Sequence, residues 1–312
     1  MSPSALTSFH QRVRRALNDP ILHGALTRAT KRYVTNRTNA MALLPDADAV
    51  RDYARQIRAH TLSHLDRYLA QFADAVEAAG GHDHWAREAA EARSIVLDLA
   101  HSHGVKLAVK TKSMLSEELG LNHALEAVGV RVVESDLGEF IVQLAGERPS
   151  HILTPAVHKT REQVGDLFHE KLGIPLTCEP AELTRAARAE LRRVFFSADV
   201  GISGVNFGVA ETGTLCLATN EGNGRMTTTL PPLHVALMGI ERLVPTLDDL
   251  SVILQLLGRN STGQKLTVYT NLLTGPRRPS SRRSGLQPDT AGADSRSGLQ
   301  PDTLFVGSVR CV

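Results

Sequence analysis

The residues best able to do chemistry are gathered in one stretch, 198–225, which reads ADVGISGVNFGVAETGTLCLATNEGNGR. Gly201, Gly204, Gly208, Gly213, Gly222 and Gly224 recur through it, with Ser203, Asn206, Thr212, Thr214, Asn220 and Asn223 between them. Glycine permits close backbone approach and positive φ, and the N–H groups freed in such turns can cradle an anion or a carboxylate. Glu211, directly before Thr212-Gly213-Thr214, sets a carboxylate on one of these turns, where it could act as general base, nucleophile or acceptor for a ligand hydroxyl. The competing reading is architectural: glycines shape tight turns, and the Asn side chains close Asx turns. Neither GxGxxG ahead of a helix nor GxxxxGK[ST] is present, which disfavours dinucleotide and P-loop chemistry.

Two further clusters could face a ligand. Lys110-Thr111-Lys112-Ser113 follows a short β-rich run and opens a helix, the usual anion position in an α/β sheet; two solvated lysines at a strand end are the plainer alternative. His158-Lys159-Thr160-Arg161 repeats that arrangement later in the chain. Arg225 and His234 flank Leu230-Pro231-Pro232-Leu233 and could close a pocket over the glycine-rich loop. The expected site for a small anionic ligand therefore comprises Lys110, Lys112, Ser113, Gly204, Asn206, Thr212, Gly213, Thr214, Asn220, Glu221, Gly222, Asn223, Arg225 and His234. Glu211 is the candidate catalytic group.

Thirteen histidines invite a metal reading. His60 and His64 have i,i+4 spacing but lack the glutamate of HExxH, and His82-Asp83-His84 reads as an exposed turn, so packed or surface histidines are the expectation and no metal site is assigned. Cys178 and Cys216 read as small apolar residues.

Periodicity supplies the elements that must hold these groups. Residues 5–37 read as one or two basic helices punctuated by Asn18-Asp19-Pro20. A long helix from Pro45 carries Val50, Tyr53, Ile57, Leu65, Leu69, Phe72 and Val76 at near-multiples of 3.6, and Gly80-Gly81 ends it. Another helix runs from about Trp85 to His101. Strands are expected at 105–110, 130–134 and 152–154, in the glycine-rich stretch, at 235–238 and at 266–269, with helices between them. Ser113 and Thr246 are placed as helix N-caps. Strands alternating with helices of 10–17 residues indicate an α/β fold, a mainly parallel sheet covered by helices.

The net charge of +2 divides unevenly. Residues 1–40 carry a net +6 and residues 277–312 a net +3, leaving −7 on 41–276. An acidic body argues against a nucleic-acid face there, since phosphate contacts need clustered Lys and Arg. No run approaches a membrane span, no secretory signal is evident, and three scattered cysteines exclude a disulfide scaffold and suit a reducing cytoplasm. The expected organisation is a helical N-terminal extension over 1–103, an α/β core over 104–276 and a disordered tail over 277–312. That tail holds the repeat SGLQPDT twice, at 284–290 and 297–303, in a composition too poor in apolar groups to build a core.

Several runs carry a resemblance: VKTKSMLSEELGLNHAL at 109–125, VVESDLGEFIVQ at 132–143, SHILTPAVHKTRE at 150–162, and above all NFGVAETGTLCLATNEGNGR followed by LPPLHVALMGIERLVPT. On these the chain resembles the LUD-domain family over roughly 8–277, and within it the iron–sulfur subunits of bacterial three-part L-lactate-oxidising systems. The resemblance implies a fold like the ribose-5-phosphate isomerase/CoA-transferase group. It also implies a part in oxidising L-lactate to pyruvate, two partner subunits, and electrons passing through [4Fe–4S] clusters. In that family the domain continues into CxxCxxCxxxC-type runs that ligate the clusters. Here the resemblance stops near Arg277-Arg278, the cysteine ligands are absent, and the expectation is a reading frame interrupted near residue 279. Two other functions fit the same residues: an acyl- or CoA-transferase or ligase using Glu211, and a non-enzymatic assembly subunit whose basic N-terminal helices dock partner proteins.

Overall fold

The computed structural model describes residues 9–149, 154–276 and 303–307. Four helices, α1 (Phe9–Leu17), α2 (Pro20–Ala42), α3 (Ala47–Ser63) and α4 (Leu65–Ala78), precede the first strand, β1 (His82–Trp85). Next come α5 (Ala89–Ser102), β2 (Leu107–Lys110), α6 (Met114–Glu118), α7 (Leu121–Ala127), β3 (Arg131–Glu134), α8 (Leu137–Leu144), α9 (Arg161–Leu172) and α10 (Pro180–Ser197). The remainder is β4 (Val200–Gly204), β5 (Phe207–Val209), β6 (Thr214–Thr219), α11 (Asn223–Thr229), β7 (Leu233–Met238), β8 (Leu243–Val244), α12 (Leu247–Ser261), β9 (Tyr269–Leu273) and β10 (Thr303–Gly307).

The chain divides into two compact units, one of residues 1–52, 136–191 and 253–267, the other of 53–135, 192–252 and 268–312. This division cuts across the sequence-based boundary at 103–104. The first unit is helical. Asp19 caps α2 by accepting from the N–H groups of Ile21 and Leu22, with Pro20 at the first helical position, where its missing donor costs nothing. Thr160 and Gln163 form a reciprocal capping box on α9. Phe168, fully buried, meets Phe140 edge to face with ring centroids 6.3 Å apart.

The second unit holds both sheets. Six parallel strands run in the order β1-β10-β7-β4-β2-β3, and a smaller sheet runs β8-β5-β6-β9. One face of the large sheet buries Ala108, Val132, Val200, Ile202, Val235 and Leu237 against Ala92, Val96 and Ala100 of α5 and Leu121 and Leu125 of α7. Burial on both faces explains why β7, LHVALM, reads as a largely apolar run rather than an alternating strand. On the other face Gly201 leaves room for α11: a Cβ there would lie 1.9 Å from the carbonyl oxygen of Thr227. Phe72 and Val76 of α4 pack with Val205, Leu215, Leu217 and Leu243 in a second core.

Four expectations change. The helix expected from Pro45 to Gly80 is two, α3 and α4, separated at His64, whose φ of −127° leaves the helical region. Ser63 Oγ and His64 Nδ1 both bond the carbonyl of His60, so side chains replace the backbone ladder there. His82-Asp83-His84 forms β1 rather than a turn, and α5 starts after it. Residues 303–307 of the segment expected to be structureless form a strand inside the large sheet; the apolar run Leu304-Phe305-Val306, overshadowed by the repeats before it, supplies the β propensity. The strand expected at 152–154 falls on 150–153, outside the described residues, and Thr154 lies in no strand. The last strand begins at Tyr269 instead of Leu266.

Candidate functional site

The sheet order sets where a ligand would sit. β2 is followed in sequence by β3 on one side, while β4, on its other side, leads on to β7. That reversal is a topological switch point, and ligands of open α/β sheets bind outside the carboxyl ends of the strands there. Lys110-Thr111-Lys112-Ser113 leaves β2 at this point, and Gly204-Val205-Asn206 leaves β4 beside it. The Thr111 N–H donates to Ile202 O at 2.9 Å, and a Cβ on Gly204 would stand 2.8 Å from Ser113 Oγ, so only glycine lets the two exits approach. Ser135, leaving β3, donates both its N–H (2.8 Å) and its hydroxyl (2.7 Å) to Lys110 O. From α11, Asn223 Nδ2 comes within 3.4 Å of Ser135 Oγ, as does Thr227 Oγ1. Lys110, Ser113, Gly204 and Asn223 are thus gathered at the expected place, with the partly buried Lys112 between the first two.

Lys110 itself is engaged. Its side chain is fully buried, and Nζ donates to Ser116 Oγ, Glu117 Oε1 and Glu134 Oε1, each at 2.9 Å. Asn122 Nδ2 donates to the same Glu134 oxygen at 2.7 Å. Three donors meet three acceptors, and one cation faces two carboxylates. A buried lysine needs such partners because desolvation of a lone ammonium costs several kcal/mol. Two carboxylates outnumber the one cation here, and the positive side chains nearest the crevice are the partly buried Lys112 and the exposed Arg225, with neutral donors such as Asn223 beside them. The partners of Lys110 were not found from the sequence; the signal was a glutamate closing the valine-rich strand VRVVE, and a serine and a glutamate six and seven residues after the lysine.

Comparison with known proteins now bears on this fold and crevice. The LUD domain description matches residues 69–286, about eight residues past Arg278, where the resemblance was expected to stop. The chain belongs to the LUD-domain family. Curated relatives include the "Uncharacterized electron transport protein YkgF" of Escherichia coli K12 (44% identical over 271 residues) and lactate utilization protein B of Shouchella clausii (45% over 270) and Bacillus pumilus (44% over 271). These alignments cover 86–87% of this chain and 57% of each relative, so the chain spans a little over half the length of the curated relatives it matches. A crystal structure of a DUF162 family protein from Deinococcus radiodurans shares 14% identity at a TM-score of 0.40, over 79% of this chain and 98% of that one.

Other expected site residues of this LUD domain hold its framework. Glu211 is exposed, and its Oε1 accepts the Leu247 N–H at 2.8 Å, a carboxylate capping the start of α12. Thr212 donates to Thr214, which bonds Thr274 at 2.6 Å, and Gly213 (φ +65°) packs where a Cβ would fall 2.6 Å from Val76 N. Asn206 Oδ1 accepts from Ala218 N and Asn220 Oδ1 from Val268 N, each tying a loop to a neighbouring strand. The Glu221 carbonyl accepts the Thr219 hydroxyl, and Gly222 precedes α11 with open space around it. His234 enters β7 near the amino ends of the strands, opposite Gly201, buried and bonded to Ser203 Oγ at 2.8 Å. Burial lowers its pKa to about 4, so it is a neutral core imidazole at pH 7.

An iron–sulfur cluster of the family type needs four thiolates, and this sequence has three cysteines in all. Cys216 is sealed in β6, where burial pushes the thiol up to about 12, and Cys178 is an exposed free thiol. Cys311 lies outside the described residues. The cysteines of this chain do not fit such a cluster. The histidines at 60 and 64 are used locally, His60 Nε2 bonding Tyr68 Oη at 3.0 Å. Among the described residues no helix is long and apolar enough to cross a membrane.

Proposed function

We propose that this chain is the LUD-domain portion of a lactate utilisation system and that it binds a small 2-hydroxy or 2-oxo carboxylate at the crevice between β2 and β4. The observation that carries the reading is 44–45% identity over about six-sevenths of the chain to proteins named lactate utilization protein B. The crevice supports it in kind: Lys112 and Arg225 supply charge, while Asn223 and Ser113 supply polar groups for a carboxylate and an adjacent oxygen. Oxidising L-lactate to pyruvate releases two electrons and two protons. The thiolates that would hold a [4Fe–4S] cluster for those electrons come from outside these 312 residues, and the part of the residues described here is to bind and orient. An exposed free thiol at Cys178 suits the reducing cytoplasm where such a system works.

Glu211 is committed to capping α12, which weakens the transferase reading; nothing in its surroundings favours an acyl intermediate. Calorimetric titration of the purified chain with L-lactate, D-lactate and pyruvate tests the proposal. Saturable binding of at least one is expected, weakened about tenfold by Asn223→Ala or Lys112→Ala, the loss of one charged or polar contact. Absence of binding, or binding indifferent to both substitutions, would remove this crevice as the site.

A further inference from the structure

β10 stands apart from the other strands of the large sheet. It lies in the interior, with Leu304, Phe305 and Val306 in register with Val235, Ala236 and Leu237 of β7 on one side and with His82, Asp83 and His84 of β1 on the other. An interior parallel strand commits its amides and carbonyls to both neighbours. β1 joins the sheet through β10 alone. Yet 29 residues, 274–302, separate β10 from β9. Both copies of SGLQPDT fall in that interval or just beyond it, and only the second runs on into an apolar strand. The candidate ligand site makes no use of β10.

Recognition of such a strand rests on the backbone ladder, which any chain presenting the same extended segment can form. Fully extended, 29 residues reach at most about 100 Å, so the covalent connection does not confine the segment to its own sheet. We propose that the gap between β1 and β7 is a strand-acceptor site for an extended apolar peptide in parallel register, and that Thr303–Gly307 of a second copy of this chain fills it by exchange. Swapping an identical element between protomers requires no new contacts, only a change in which chain makes them.

The tryptophan count makes the test direct. Trp85, the single tryptophan, ends β1 in register with Gly307. Phe305→Pro in the full chain removes one ladder donor and prevents that chain from supplying the strand. The probe is a labelled synthetic peptide of residues 297–309, SGLQPDTLFVGSV. It should bind the Phe305→Pro chain about tenfold or more tighter than wild type, whose gap is already filled, and restore the Trp85 emission of wild type. The wild-type chain should dimerise with rising concentration in sedimentation, and the variant should not. Lack of saturable peptide binding to the folded variant overturns the proposal, as does equal dimerisation of the two chains or none in either. Should Phe305→Pro fail to fold, prolonged incubation of wild type with labelled peptide decides: incorporation into the sheet supports strand exchange, and none refutes it.

Discussion

Lys110 is a buried charge whose burial has a measurable consequence. Its ammonium is fully buried and donates to Ser116, Glu117 and Glu134. Lys110→Met should cost about 3–5 kcal/mol in urea unfolding, because it leaves Glu134 buried without its cation. His234 offers a pH readout. Its folded pKa, about 4, lies below the ordinary 6.5, so the unfolded chain binds the extra proton between those values. Stability from this residue is therefore full above pH 6.5 and is lost as pH falls toward 4, by about 3 kcal/mol in total. His234→Gln should flatten that part of the stability profile, measured by denaturant midpoints at pH 7.5 and 4.5; an unchanged slope would show that other groups dominate it.

Among the elements, two glycines in β4 separate fold from site. Gly201→Ala drives a methyl group into the backbone of α11, where nothing can yield cheaply, and should destabilise by roughly 1–3 kcal/mol or more. Gly204→Ala meets Ser113 Oγ at 2.8 Å and Ser113 Cβ at 3.0 Å, so it should push the exits of β2 and β4 apart, weakening ligand affinity and lowering the midpoint less than Gly201→Ala does. Thermal denaturation and calorimetric titration of the pair check this split. Local chemistry made much of the framework legible beforehand: Ser113, Asp19-Pro20 and the Thr246–Asp249 pair announce helix starts in three or four adjacent residues, and the caps form. What stayed hidden depends on distant partners. Glu134 meets Lys110 only because β3 lies beside β2, the break at His64 is decided by two side chains competing for one carbonyl, and β1 is a strand because β10 pairs with it. The site divided in the same way: residues at the exit of β2 could be placed from strand-then-helix order, whereas the glycine-rich run mixes crevice residues such as Gly204 with hairpin corners of identical composition.

For the molecule as a whole, family membership and cysteine chemistry point in different directions, and that difference is measurable. Anaerobically purified protein should contain far less than one [4Fe–4S] cluster per chain by iron and sulfide analysis, since a cluster takes four thiolates and the chain has three cysteines, one of them sealed in β6. A stoichiometric cluster would overturn the reading that these 312 residues hold none of their own. The uneven charge belongs to this scale too. With a net +6 on residues 1–40 and −7 on 41–276, association driven by the arm should weaken steeply with salt, while ligand binding inside the crevice should respond less. Co-purification with the proposed lactate utilisation partners at low and high ionic strength distinguishes the two.

The order of strands also sets a timetable for synthesis. β1 ends at Trp85 and its sheet neighbour starts at Thr303, so about 220 residues must be translated before β1 can pair. At roughly 5–20 residues per second that is a wait of about ten to forty seconds. Once β7 is complete at Met238, about 65 residues remain before Thr303, roughly three to thirteen seconds in which β7, β4, β2 and β3 can assemble with the edge of β7 open. The nascent protein therefore passes through a long-lived state with an unpaired strand edge, the kind of surface that chaperones bind and that aggregation begins from.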